Sequence, residues 1–292
     1  MQPSEEYPQE HGEHRSSRFC PPSERYFGYF LPFAIPWSVV PLMGTSHAAT
    51  GLLTGGVTGL LLSDDLGPAL VCAAIGAGAA LLPDLDTPGS TAGRSLGAVT
   101  ELLAGGTRSL SKAVYVRTAT EVELAHPQDG GHRFLTHTVP ACLLLGVFTL
   151  LVALVPLGAG LVVFAMGSLG LGAVLRDWRF LGSKRKRRIT AVAVAGLFGV
   201  GTMLVEGWGP PWWLVGLTVF VGALTHVFGD WLTRSGVPLA WPFVVRGKRW
   251  WMFRSPVAFH TGKSPMELVI KWGSVCAFPL LMLLGTPATP TA

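Results

Sequence analysis

Residues 212–233 read Trp-Trp-Leu-Val-Gly-Leu-Thr-Val-Phe-Val-Gly-Ala-Leu-Thr-His-Val-Phe-Gly-Asp-Trp-Leu-Thr. The run carries no ionisable group until its last two turns, and it is long enough to cross a bilayer, which takes about 20 apolar helical residues. His226 and Asp230 lie four residues apart, a spacing that stacks imidazole and carboxylate on one helix face. Such a pair inside a span is expensive to desolvate, so it calls for a partner, a cavity or a metal ion.

The rest of the chain has the same character. Its 292 residues are 49% hydrophobic and 13% charged, with 37 glycines, where an ordinary soluble domain has roughly 25% charged residues. This composition predicts an all-α polytopic transmembrane helical bundle. Five full spans are expected at 138–155, 158–175, 189–205, 212–232 and 268–284, preceded by two short apolar helices at 48–62 and 68–82 that form tilted spans or a re-entrant hairpin. Gly51, Gly55 and Gly59 give the first of these a smooth face for close helix packing. Cys20, Cys72, Cys142 and Cys276 are scattered without a C-x-x-C pair, which predicts small packed side chains and no thiolate site.

Three regions follow. Residues 1–42 form a disordered or weakly structured extension, because 1–26 hold five Glu, three Arg and two His without apolar periodicity and 26–42 are broken by Pro32, Pro36 and Pro41. Met43 is a candidate natural start. Residues 43–285 are the membrane-embedded domain and 286–292 a tail. Within the domain the long polar stretch 84–137 reads as a functional insertion. Leu96, Val99, Leu102 and Leu103 are spaced for an amphipathic helix on the membrane surface.

Charge orients the spans. Of the 22 Lys and Arg, five fall in 84–137, seven in 176–188, six in 234–263 and three in the N-terminal extension, while Lys271 begins the last span and can snorkel. The intervening connections 63–67, 156–157 and 206–211 hold none. The positive-inside rule therefore puts the basic connections in the cytoplasm. The basic excess is thus explained by topology, and no nucleic-acid partner is expected.

With that topology four polar clusters arrive at one depth on the cytoplasmic side: His47 before the first segment, Asp84 and Asp86 after the second, His132 and His137 before the third, and His226 with Asp230 at the end of the sixth. Imidazoles and carboxylates without thiolates suit a divalent metal, Zn, Mn or Fe, with Mg favoured by more carboxylates. Arg133 is a candidate for holding an anionic substrate oxygen, and Thr136, Thr138 and Thr233 for orienting ligands. Each cluster also has a plainer reading: the Asp84 to Asp86 segment as a turn, His47 as part of a helix cap, and His226 with Asp230 as a structural pair. His132 and His137, five apart, share no helical face, so either a bend intervenes or one of them is not a ligand. His126 and His260 read as solvated, and Glu267 as either a ligand or a helix-start residue after Ser264.

The segments Thr45-Ser-His-Ala-Ala-Thr-Gly51, Leu82-Pro-Asp-Leu-Asp-Thr-Pro88, His132-Arg-Phe-Leu-Thr-His-Thr138, His226-Val-Phe-Gly-Asp-Trp-Leu-Thr233 and Ser235-Gly-Val-Pro-Leu-Ala-Trp-Pro242 together resemble the YdjM-type family of bacterial inner-membrane proteins, described as metal-dependent hydrolases. The resemblance runs from Thr45 to about Val269. It implies a multi-pass protein of the bacterial cytoplasmic membrane with metal-dependent hydrolase activity on an unassigned substrate, while the clusters themselves offer His47, Asp84, Asp86, His132, His137, His226 and Asp230 as metal ligands. Asp84, His132 and Arg133 are then the catalytic candidates, and the substrate a membrane lipid or membrane-associated ester or phosphoester. The chain departs from the family pattern in its N-terminal extension and in Phe134, where a small residue is usual. The His226-x-x-x-Asp230 spacing also matches the last motif of membrane phosphatidic acid phosphatases, but Val219 and Phe220 replace the Ser-Arg of that motif. A non-enzymatic scaffold, or a transport-like protein using the same cluster, is the competing expectation.

Overall fold

The second of the two short N-terminal helices lies at the centre of the bundle. The computed structural model describes residues 43–63, 65–95, 98–260 and 264–285. The expected extension at 1–42, with Met43 as its boundary, and the tail at 286–292 fall outside them. Nine α-helices are formed among the described residues and no β-strand: α1 Met43–Ser63, α2 Leu66–Ala79, α3 Ala98–Thr118, α4 Glu121–Ala125, α5 Val139–Val152, α6 Pro156–Val174, α7 Lys184–Leu204, α8 Trp212–Trp231 and α9 Pro265–Gly285.

Five stretches are long and apolar enough to cross a membrane: Leu66–Asp86, Pro156–Asp177, Lys184–Leu204, Trp212–Trp231 and Pro265–Gly285. Two expected lengths are exchanged. α2 runs on through a 3-10 turn at Pro83–Asp86, because bonds such as Leu82 N–H to Ala79 O (3.1 Å) and Leu85 N–H to Leu82 O (2.9 Å) keep the chain coiled where Pro83 interrupts the α pattern. α5, expected to span, stops after 14 residues, and Pro156 opens α6 shortly after. α1 has 21 residues, enough for about 30 Å of rise, but Thr45, Ser46, His47, Thr50, Thr54 and Thr58 make it less apolar than the five.

α2 packs on α1, α6 and α8, and 78% of its most apolar window is buried, against 17% for α9, which leans on α1 at the periphery. Val71 and Ile75 of α2 meet Val163 of α6 and Val215 and Val219 of α8. Among lipid-solvated helices association rests on close packing instead of exclusion of water, so smooth faces matter. A Cβ on Gly51 would run into the Gly76 carbonyl, one on Gly76 into that of Gly51, and one on Gly59 would lie 2.6 Å from Ala69 Cα. The glycine face expected from sequence is the α1–α2 contact.

Outside the spans, α3 packs against the 3-10 turns Pro83–Asp86 and Leu135–His137. Ala104, Ser111 and Tyr115 face inward, while Leu102, Leu103, Leu110 and Val116 are exposed. The exposed apolar face agrees with a helix lying on a lipid surface. Ser111 Oγ lies 2.8 Å from Gly130 O and 2.9 Å from Gly131 O and accepts the Leu135 N–H at 3.2 Å, fastening the loop that carries His132 and Arg133. Lys271, expected to snorkel, is instead buried and paired with Asp177, tying α9 to the turn after α6. Cys72 and Cys142 are buried and Cys276 is exposed, all with free thiols, and Cys20 lies outside the described residues.

Candidate metal centre

His226 and Asp230, one turn apart on α8, are almost wholly buried, at 0% and 1% exposure. The other elements bring their polar residues to this pair. His47 sits in the first turns of α1 and stacks its ring on His226 with centroids 3.9 Å apart, its Nε2 3.5 Å from Asp230 Oδ1. Asp84 and Asp86 lie on the 3-10 turn that ends the α2 span, so this segment is both a turn and a wall of the site. His137 closes the cluster from the turn Leu135–His137.

A bend does intervene between His132 and His137. Arg133 has φ 64°, in the left-handed region that a branched or long side chain rarely occupies. The reversal points both rings at Asp86: His132 Nδ1 is 2.8 Å from Oδ1, and His137 Nδ1 is 3.9 Å from Oδ2. Burial works against charge on His132, but the hydrogen bond and charge of Asp86, with Asp84 behind it, outweigh that and raise its pKa above the ordinary histidine value.

The tautomers follow from the bonding pattern. His226 Nδ1 is 2.8 Å from the carbonyl oxygen of Ala80, which only accepts, so Nδ1 carries the proton and Nε2 a bare lone pair. The Thr136 hydroxyl donates to Asp86 Oδ2 at 2.7 Å, leaving its oxygen to accept from His137 Nδ1 at 3.0 Å. In a neutral ring His137 Nε2 is then bare as well. The two Nε2 atoms face each other at 3.2 Å. Two lone pairs at that distance repel unless a shared proton or a metal cation lies between them.

Carboxylates complete the arrangement. Asp84 Oδ1 is 3.6 Å from His226 Nε2 and 3.9 Å from His137 Nε2, and Asp230 Oδ2 is 3.8 Å and 3.3 Å from the same atoms. A tetrahedral ion with bonds of about 2.0–2.1 Å has ligand-to-ligand edges of roughly 3.3–3.4 Å, close to these separations. Both Asp230 oxygens are buried without a hydrogen bond, an expensive state for a carboxylate lacking cationic compensation. Arg133 supplies part of that compensation, with Nη2 3.2 Å from Asp230 Oδ1. The donor set fits a divalent metal, in three overlapping groups: His47 with His226 and Asp230, Asp84 with His137 and His226, and Asp86 with His132 and His137.

All eight residues singled out in the sequence thus meet. Arg133, expected to hold substrate, is buried and directs its guanidinium to Asp230 and to Thr233 Oγ1 at 2.8 Å. Thr136 and Thr233 support the site, whereas Thr138 caps α5 by accepting from Ala141 N. Sequence reasoning missed Thr87, whose hydroxyl lies 3.0 Å from both Asp86 Oδ1 and His132 Nδ1. Its place directly after Asp86 was the available signal. It also missed the Ala80 carbonyl, a backbone group with no sequence signal. His126 and His260 are exposed, as expected. Glu267 is buried, with Ser46 Oγ 3.5 Å from its carboxylate, and is in none of the metal-competent groups found among the described residues.

Thr136→Val is expected to weaken metal binding about 10–100-fold, because it removes the group that fixes the His137 ring. Chelator competition on purified protein checks this, with unchanged helical content as the control.

Two cavities flank the cluster. One of about 440 Å³ borders His47 and is lined mainly by apolar side chains of α1, α8 and α9, with Ser46, Thr50, Thr54, Thr225 and Glu267 among them. The other, about 200 Å³, borders Asp84 and His132.

Fold and site together define a polytopic all-α membrane protein with a buried His/Asp cluster where helices α1, α2, α5 and α8 bring their ends together. The sequence model of the YdjM inner membrane protein family matches residues 42–286, and the chain belongs to that family. Comparison with curated proteins gave no significant match, nor did comparison with solved structures.

Proposed function

We propose that the protein is a membrane-bound, metal-dependent hydrolase whose site faces the cytoplasm and acts on a membrane-associated ester or phosphoester. The observation that carries this reading is the convergence of His137 Nε2 and His226 Nε2, 3.2 Å apart, with the carboxylates of Asp84 and Asp230. A divalent cation held there would supply Lewis acidity, making water a stronger nucleophile and stabilising charge on the attacked group. Asp230 and the two imidazoles would hold the cation, Arg133 balances the buried charge of Asp230, and Thr136 and the Ala80 carbonyl fix the rings.

His132 is the group at the mouth, hydrogen-bonded to Asp86 and still partly exposed, so it is placed to pass a proton between solvent and the reacting oxygens. In the overall reaction a water oxygen bonds to the attacked phosphorus or carbon and the bond to the leaving oxygen breaks. The water protons end on the leaving alcohol and on the new acid. The cytoplasmic orientation rests on the distribution of Lys and Arg.

Metal analysis of detergent-purified full chain tests the reading. At least one divalent ion per chain is expected, with hydrolysis of p-nitrophenyl phosphate or p-nitrophenyl butyrate abolished by chelator and restored by metal. A folded protein that neither carries nor takes up metal would end the proposal. The competing transport-like reading draws on the cavity beside His47 and the buried Glu267. Ion flux in proteoliposomes that survives chelation would favour it.

A further inference from the structure

The smaller cavity contains chemistry that the metal cluster does not use. Its lining includes Arg94 and Arg176, the serine Ser90, and Gly44 in the first turn of α1, and it opens on Asp84 and His132. The two arginines come from unrelated parts of the chain. Arg94 lies in the turns after the Asp84 to Asp86 segment, where Ser90 Oγ donates to Asp84 O at 2.8 Å and accepts Gly93 N–H at 2.9 Å. Arg176 lies on the 3-10 turn Leu175–Asp177 that follows α6. The fold thus brings two arginines, one following the α2 span and one following α6, to one recess beside the candidate metal ligands.

Charge decides what such a recess takes. Asp84 is the acidic group in the lining, and it also belongs to a metal-competent group. A divalent cation on Asp84 would offset the charge of that carboxylate, and the lining would then offer the guanidiniums of Arg94 and Arg176 to an anion. Guanidinium groups bind phosphate oxygens in a planar, two-pronged geometry. A volume of about 200 Å³ is below the range of about 300–1,000 Å³ usual for whole-ligand pockets. It suits a phosphate group more than a complete lipid.

We propose that the recess lined by Arg94 and Arg176 beside Asp84 and His132 is a phosphate subsite, which makes phosphoesters, not carboxylic esters, the substrate class. This rests on the hydrolase reading for the reaction, and on a cation at Asp84 for the charge of the recess. The phosphate comes either from a lipid headgroup or from a soluble phosphoester. The two sources share the subsite and differ in whether an attached chain adds affinity.

The test is equilibrium binding of inorganic phosphate, and separately of dodecyl phosphate diluted into neutral micelles, to the full chain in metal-loaded and metal-free form. Wild type is compared with Arg94→Gln and with the Arg94→Gln/Arg176→Gln double variant, and metal content is measured on the same samples. Arg94 is exposed, so its single variant is expected to fold. Both variants should keep their metal and lose about tenfold or more in affinity for either ligand, the loss expected for a charged hydrogen bond. Dodecyl phosphate binding at least about tenfold tighter than inorganic phosphate identifies a lipid source, and equal affinity a soluble one; either result supports the subsite. Unchanged phosphate affinity in Arg94→Gln with metal retained would overturn it, as would the absence of phosphate binding to wild type in both forms. Arginine-dependent phosphate binding by a chain that never takes up metal would sink the hydrolase reading and leave the subsite standing.

Discussion

His226→Ala is expected to empty the site of metal, lowering the content from about one ion per chain to under a tenth and reducing affinity by more than about 100-fold, beyond the loss typical of supporting residues. The imidazole contributes three things at once. Its Nε2 faces His137 Nε2 at 3.2 Å, its Nδ1 proton satisfies the Ala80 carbonyl, and its ring stacks on His47. Alanine leaves that buried carbonyl without its side-chain donor, at a cost of about 1–3 kcal/mol. The variant should therefore unfold at lower temperature but remain purifiable. Elemental analysis beside a thermal melt measures both effects, and His260→Ala, at an exposed position, is the control that should change neither. Wild-type metal content in His226→Ala would place the ion elsewhere.

The second large effect is structural. Gly51→Leu should separate α1 from α2, because even the Cβ would meet the Gly76 carbonyl and neither helix backbone can yield. Overpacking of a tight contact costs about 1–3 kcal/mol, occasionally more. Here the collision is with backbone, so the upper end or beyond is expected. The consequence reaches the site, since α1 carries His47 and the α2 span ends on Asp84 and Asp86. Metal should be lost together with thermal stability. Gly172→Ala is the matched control, because a Cβ there meets nothing within 4 Å. Full stability and metal content in Gly51→Leu would show that the hairpin can open without consequence.

Residue by residue, legibility of the site followed the range of the interactions. His226 and Asp230 could be paired from sequence because four residues along a helix is a local relation. The convergence of His47, Asp84, Asp86, His132 and His137 was accessible through topology, since charge counting put all of them at one depth. The contacts of Arg133 with Asp230 and Thr233 were not legible. The Arg133 backbone φ of 64° turns the chain between the two histidines, and no spacing rule foretells a left-handed arginine. The recess of Arg94 and Arg176 was invisible for a similar reason, as both residues sit in turns whose meeting depends on how α2 and α6 pack. The span lengths misled as well. Hydropathy counts residues, and cannot tell that a 3-10 turn extends α2 to Asp86 while α5 stops at Val152.

By itself the sequence determined the class: a helical bundle in a membrane, with its polar residues gathered into four short motifs. Hydropathy and composition are summed along the chain, and a bilayer responds to those sums. The tertiary structure alone decided what the motifs do to one another. Which nitrogen of His226 is bare depends on the Ala80 carbonyl 146 residues away, and which oxygens of Asp230 lack hydrogen bonds depends on three other elements. Protonation and ligand geometry are set by neighbours within a few ångströms in space, and neighbours in space are what a linear sequence does not state.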